Sequence, residues 1–245
     1  MDNLNVQVAP YLISSLSKEI YSKKEHILLG ISPFNSYFSE EMIGHWIRWA
    51  HRTFSSFNIF VPDTLPIYTF LALGYDEAKS KNKAKRQASY LKNKIFRALS
   101  KENFSEEEST NLLIDMDFLQ KNESYNYLKE RCYKLYSENI EFQNECDKST
   151  GWVLNGQTIK DINRASNQNI AVRYILDEMP LFMNTPSILN IPSSLFSYHQ
   201  IPEFINYLYT NHNDNNFIAP NQGFIELSVM YNVVVSKGVL TEDEL

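Results

Sequence analysis

The chain has 245 residues and a formal net charge of −6, with 43% hydrophobic and 21% charged residues, the make-up of a globular protein that buries roughly 70% of its unfolded surface. No apolar run reaches the roughly 18 residues of a membrane helix, and the seven glycines form no GxGxxG or GxxxxGK[ST] nucleotide loop. Cys132 and Cys146 make neither a zinc pattern nor a disulfide framework and read as reduced, partly buried thiols.

His26 to Ile31 reads as a buried strand, a short apolar run closed by Ser32-Pro33. Ser39 has the character of an N-cap, with Glu40 and Glu41 in the first helical turn where the dipole favours acids. That helix is expected to run to about Phe54, with Ile43, Trp46, Ile47 and Ala50 inward. Phe57 to Val61 is a second strand, then a short helix ends near Gly74. A long basic segment runs on to Lys101. Leu112 to Met116 is a third strand, Ser124 to Asn155 is mostly helical, and Lys160 to Phe182 is a helix. Ser194 to Ser197 and Phe224 to Val229 complete the set of strands. Thr210 to Asn216 is a polar surface loop. Strands alternating with helices argue for one α/β domain over residues 1–245, with a mostly parallel sheet and helices on both faces.

In such a sheet the ligand crevice lies beyond the carboxyl ends of the strands, which points to Gly30–Ser36. Ser32 there reads either as a nucleophile or as a brace of the turn. A G-x-S-x-G elbow is excluded because Phe34 stands at its fifth position. Tyr174 and Glu178 are four apart on an inward helix face. A buried Glu is either hydrogen-bonded as a brace or doing chemistry. Tyr198-His199 closes a strand, and Asp115 with Asp117 reads as a solvated strand end. His45 and His51 do not share a helix face, so no metal ion is expected, and no cofactor.

Between Lys79 and Arg97 stand eight basic residues and no acid. At 100° per residue, Lys79, Lys83, Arg86, Lys94, Arg97 and Lys101 fall within about 80° of one another. Ala84, Ala88, Leu91, Ile95 and Ala98 form a separate apolar face. The pattern is either a solvated lysine-rich face or a patch that neutralises phosphates.

In order along the chain stand Gly30-Ile31-Ser32 with Asn35-Ser36-Tyr37-Phe38-Ser39, the basic helix, Tyr174-x-x-x-Glu178 with Pro180-Leu181-Phe182, and Pro192-Ser193-Ser194 leading to Tyr198-His199. From about His26 to His199 this sequence resembles the cyclodipeptide synthases, and Asn35, Tyr198 and His199 look like the subgroup with Asn, Tyr and His at these places. The resemblance implies a Rossmann-like fold similar to the catalytic domain of class I tyrosyl- and tryptophanyl-tRNA synthetases. It implies two aminoacyl-tRNAs as substrates, a 2,5-diketopiperazine as product, and a monomer.

It further implies that Ser32 carries the aminoacyl and then the dipeptidyl group. Tyr174 and Glu178 hold the amino group, Tyr198 relays a proton and His199 supports the loop. Leu28, Met116 and Leu181 match a first side-chain pocket and Phe60 and Phe196 a second. Gly30 leaves room beside the serine, and Asn35 joins the substrate-binding positions. Lys79, Lys83, Arg86, Lys94, Arg97 and Lys101 are the expected tRNA contacts. A hydrophobic product such as cyclo(Leu-Leu), or a mixture with Phe and Met, is expected. The competing readings are a synthetase-like protein, a non-catalytic tRNA- or RNA-binding module, and a serine hydrolase. Met1 to Pro10 shows no basic region followed by an apolar core, so a cytoplasmic protein is expected.

Overall fold

The computed structural model describes residues 4–155, 164–210 and 217–233. Six strands form one sheet: β1 Leu4–Leu12, β2 His26–Gly30, β3 Ser56–Val61, β4 Leu113–Asp115, β5 Ser194–Tyr198 and β6 Gln222–Val233. Their spatial order is β1-β6-β5-β2-β3-β4. Four neighbouring pairs are parallel, and β1 runs antiparallel to β6 at the edge.

The helices are α1 Ser15–Lys23, α2 Glu40–Thr53, α3 Pro66–Ala72, α4 Glu77–Lys101, α5 Glu106–Leu112, α6 Met116–Gln120, α7 Glu123–Glu138, α8 Ile140–Asn155, α9 Arg164–Leu189 and α10 Glu203–Thr210. Lys160, where the sequence starts the long helix, lies outside the described residues, as does most of the polar loop, 211–216.

A central parallel strand covered on both faces must be apolar throughout, and every residue of β2 is buried. Alternation divides its side chains between two cores. Ile27 and Leu29 pack with α2 and α4 through Trp46, Ile47, Leu91 and Ile95. Leu28 faces the other side, with Tyr125, Phe142, Leu176 and Phe182 of α7, α8 and α9. The same split holds for Ile59 and Phe60 on β3 and for Leu195 and Phe196 on β5. His26 ties three strands together: its ring bonds Ser194 Oγ at 2.8 Å and Asn58 Oδ1 at 3.1 Å. Burial pushes its pKa down to about 4, so the ring is held neutral.

The caps of α2 and α4 orient the helices around the crevice. Ser39 Oγ accepts from Met42 N at 3.1 Å, and Asp76 accepts from Lys79 N at 2.8 Å. The apolar face of α4 is buried at Ala84, Ala88, Leu91, Ile95 and Ala98, as its phasing requires.

Its cations are less alike than the sequence implies. Arg97 and Lys101 both pair with Glu40 of α2, at 2.6 and 2.5 Å, and Lys94 Nζ bonds the Phe38 carbonyl at 3.2 Å. Lys92 is an internal brace, 3.2 Å from Asp63 and 3.0 Å from Asp115. The acids missing from the segment itself come from neighbouring elements, which helical phasing alone does not reveal. Asp115 is therefore not a solvated strand end. It also accepts from Phe118 N at 3.1 Å, capping α6.

Strands β3 and β4 lie to one side of β2, and β5 and β6 to the other. The chain thus reverses its direction of winding between β2 and β5. This is the topological switch point, where the loops after two adjacent parallel strands diverge and leave a crevice.

Candidate active site

Ser32 stands two residues beyond β2, and Tyr198 is the last residue of β5. They face each other across the switch point. Helix α9 passes over the crevice and presents Tyr174 and Glu178, one turn apart, to the same space. A cavity of about 150 Å³ is lined by Ser32, Tyr174, Glu178 and Tyr198 together. Four of the five expected catalytic residues, drawn from three separate elements, meet there.

The loop between β2 and α2 is fixed by its own polar groups. Asn35 Oδ1 accepts from Tyr37 N at 2.9 Å, an Asx-type turn. That contact sets the amide's orientation, so Nδ2 faces outward as the donor. Nδ2 lies 2.6 Å from His199 Nε2, which must accept, and the ring proton is then on Nδ1. Burial pushes the His199 pKa down as well. Tyr37 stacks on the imidazole at 4.8 Å, and Phe38 meets it edge-on at 5.5 Å. His199 and Asn35 are not in the cavity wall. They join the two loops that carry Ser32 and Tyr198.

The Ser32 hydroxyl donates to the Pro33 carbonyl at 3.1 Å. The phenols of Tyr174 and Tyr198 line the same cavity as this hydroxyl. Burial raises both phenol pKa values, and hydrogen bonding to Ser32 offsets part of each rise. Both phenols therefore stay protonated at neutral pH. Glu178 is surrounded by protein and opens only toward the cavity. Burial pushes its pKa up to about 8. It has no hydrogen-bond or ionic partner among the described residues, so its carboxyl is left for whatever enters.

The neighbouring residue on α9 behaves in the opposite way. Asp177 is fully engaged, by Tyr133 OH at 2.8 Å, Tyr68 OH at 3.2 Å and Lys129 Nζ at 3.1 Å. Tyr125 OH also donates to its backbone carbonyl at 2.7 Å. These contacts tie α9 to α3 and α7 and set its rotation, so that Tyr174 and Glu178 point at Ser32.

The residues expected to line the side-chain pockets lie in the core. Leu28, Phe60, Met116, Leu181 and Phe196 are all fully buried in the core and none lines the cavity. Gly30 is required by that core: a Cβ there would sit 2.6 Å from the Phe196 ring and 2.8 Å from the Ser197 carbonyl. The space it leaves is filled by Phe196 rather than lying open beside the serine.

The cavity wall is instead aromatic at Phe182, Phe204 and Phe224 and small and polar at Thr69, Ser149 and Thr150. Phe182 rings lie 5.6 Å from Phe204 and 6.2 Å from Phe224. Sequence reasoning missed these residues. Ala171, Tyr174, Glu178 and Phe182 follow one another at three- and four-residue spacing, so helical phase admits Phe182 to this face as readily as Leu181. The phenylalanines of α10 and β6 carried no such signal. Among the described residues no group of three His, Cys, Asp or Glu side chains is placed to hold a metal ion.

A half-buried serine hydroxyl with two protonated phenols and an unpaired carboxyl group, in one small cavity, is suited to acyl transfer through an oxygen ester. The cyclodipeptide synthase family model matches residues 8–228, and the chain belongs to that family of cyclodipeptide-forming enzymes. It is 26% identical over 231 residues to the cyclo(L-leucyl-L-leucyl) synthase of Bacillus subtilis, covering 92% of this chain and 91% of that protein.

A cyclodipeptide synthase structure from Bacillus thermoamylovorans superposes with a TM-score of 0.79 at 25% identity, over 92% of this chain and 96% of that one. The fold is shared, with a TM-score of 0.75 at 24% identity and over 93% and 94% of the two chains, by a Mycobacterium tuberculosis protein. That structure is described as demonstrating that cyclodipeptide synthetases are related to type I tRNA synthetases. The expected α/β architecture with a mostly parallel sheet thus stands, with an antiparallel edge strand added.

Proposed function

We propose that this chain, as one monomeric catalytic domain, condenses two aminoacyl-tRNAs into an apolar 2,5-diketopiperazine through a covalent intermediate on Ser32. The observation that carries the proposal is the convergence of Ser32, Tyr174, Glu178 and Tyr198 on one cavity.

An aminoacyl-tRNA is an activated ester. Ser32 Oγ attacks its carbonyl carbon, the terminal ribose oxygen leaves with a proton, and one ester replaces another at little cost in free energy. Nothing further has to activate the acid, and a strong base is not required. Tyr198 stands at the hydroxyl to pass the proton. The amine of the Ser32-bound residue next attacks the second aminoacyl-tRNA, giving a dipeptidyl ester. Its free amine then closes on the Ser32 ester, releasing the ring and restoring the hydroxyl.

Both amine attacks need a neutral amine. Glu178, raised to about 8, is close to the roughly 7.7–8.0 of an α-amino group. A proton passes between such matched groups with little driving force either way. The arriving ammonium also gives the lone carboxyl its partner. Tyr174, one turn away, orients the same amine. The cations of α4 that no acid pairs, foremost the exposed Lys79 and Arg86 and the half-buried Lys83, supply the attraction for the tRNA phosphates, with Lys94, Arg97 and Lys101 already engaged by protein acceptors.

A dry cavity of about this size holds one benzene-sized guest. With Phe182, Phe204 and Phe224 in its wall it suits an isobutyl or phenyl side chain, in line with the leucyl product named for the Bacillus subtilis relative. A pocket of this kind separates homologues by only about 1–3 kcal/mol per methylene, so products mixing Leu with Phe or Met are expected. The test is incubation of the purified chain with leucyl-tRNA and no ATP. Cyclo(Leu-Leu) in the mass spectrum is the expected result. Free leucine as the sole product would mark a hydrolase instead.

A further inference from the structure

Three aromatic rings in contact connect the cavity to the exposed start of α4. Phe34, two residues beyond Ser32, lines the cavity, is 44% exposed and has φ 64°. That left-handed conformation is rare for a bulky side chain. Phe34 meets Phe70 edge-on at 5.4 Å, and Phe70 meets Tyr75 edge-on at 5.9 Å. Lys83 Nζ lies 5.4 Å from the Phe70 ring centre and 4.7 Å from that of Tyr75, and Lys79 Nζ lies 4.9 Å from Tyr75. Phe34 belongs to neither core, whereas Phe70 beneath it is buried. A ring left 44% exposed on a disfavoured backbone gains little from packing, so its value is sought in what it meets from outside.

We infer that Phe34 is a stacking platform for the unpaired 3′-terminal base of the aminoacyl-tRNA, and that Lys79 and Lys83 hold the phosphates just before it. The inference rests on the aminoacyl-tRNA reading above. Aromatic rings beside a cationic track are how single-stranded nucleic acid is held without sequence readout. The spacing fits. The ester being attacked sits on the terminal ribose, and the base on that same ribose must lie one sugar's width from Ser32. The Cα atoms of Ser32 and Phe34 are at most about 7.6 Å apart, two Cα–Cα steps along the chain, and both side chains line the one cavity. The strip then leads away from the cavity to the lysines, as the nucleotide chain must. At 44% exposure, part of the Phe34 ring is open to a base arriving from outside.

The test uses the full chain and a tRNA whose 3′-terminal adenosine is replaced by 2-aminopurine, a base whose fluorescence is quenched on stacking. The parent chain and Phe34→Tyr are expected to quench it. Phe34→Leu, which keeps apolar bulk, is expected to lose the quench and to raise KM for leucyl-tRNA about tenfold, the scale of one stacked base, with kcat within about twofold. Equal quenching by Phe34→Leu and the parent overturns the inference, as does absence of quenching in a parent chain that turns over leucyl-tRNA. Failure of the parent to use leucyl-tRNA at all instead overturns the underlying functional reading. Matching thermal melts for the variants exclude loss of fold as the cause.

Discussion

Asn35 Nδ2 lies 2.6 Å from His199 Nε2, joining the loop after β2 to the end of β5 on either side of Ser32. Because the imidazole must accept this bond, it cannot at the same time be an imidazolium. Its lowered pKa has the same consequence, and His199 serves as a strut. His199→Ala is expected to lower kcat/KM about ten- to a hundredfold, the cost of a misplaced nucleophile. The pH profile should keep its shape, since no titrating catalyst has been removed. Steady-state rates across a pH series check this; a lost limb of the profile would make His199 an acid or base.

Glu178 sets the opposite expectation. Its pKa rises from 4.5 unfolded to about 8 folded, so the folded state holds a proton that the unfolded chain gives up. Stability from this position is complete below about pH 4.5 and declines as pH rises to about 8. Glu178→Gln removes that dependence. It is expected to melt higher than the parent near pH 8, by the equivalent of a few kcal/mol at most, and equally near pH 4.5. Its rate of diketopiperazine formation should fall at least a hundredfold. Paired thermal melts at the two pH values and product assays decide both parts.

His26 gives a pH response of the other sign. Folded, its pKa is about 4 against 6.5 unfolded, so the unfolded chain binds the extra proton as pH falls. Its contribution to stability is present above pH 6.5 and is lost between 6.5 and about 4. His26→Gln, which retains a donor and an acceptor, is expected to flatten that part of the curve. Urea denaturation over this pH range measures it.

Asp177 is a positioning residue, since it touches α3 and α7 and not the cavity. Asp177→Ala leaves Lys129 and two phenols without their acceptor and is expected to cost about 3–5 kcal/mol of stability. Asp177→Asn keeps an acceptor, should cost less, and should lower kcat more than it alters KM. Denaturant titration with kinetics on the surviving variant separates these effects.

The paired and unpaired cations of α4 should behave differently. Arg86 has no ion-pair partner among the described residues, so Arg86→Gln should raise KM for aminoacyl-tRNA and reduce the slope of log KM against log salt by about one. Arg97→Gln frees Glu40 from only one of its two partners and should change the slope less. KM across a salt series distinguishes them.

Much of this arrangement was legible in the sequence because local rules and tertiary needs agree. The cap at Ser39, the buried run of β2 and the apolar stripe of α4 all stand where periodicity puts them. Strand β1 was not legible. It carries Pro10, which a central strand does not tolerate, and it survives only as an antiparallel edge beside β6. Helix α1 buries only Ser17 and Ile20, too little for a pattern.

At the site, Ser32, Tyr174, Glu178 and Tyr198 were found through motif order, since residues on three separate elements share no local period. The residues expected to form the side-chain pockets are closed into the core. Phe60 and Phe196 are large enough to fill the space that smaller residues would leave open, so the cavity is bounded by Phe182, Phe204 and Phe224 instead.

The most direct test of the covalent route is the intact mass of the protein after mixing with leucyl-tRNA, compared between the parent and Ser32→Ala. The account predicts a leucyl adduct, followed by cyclo(Leu-Leu), in the parent and neither in Ser32→Ala. Diketopiperazine formed by Ser32→Ala at the parental rate would contradict it.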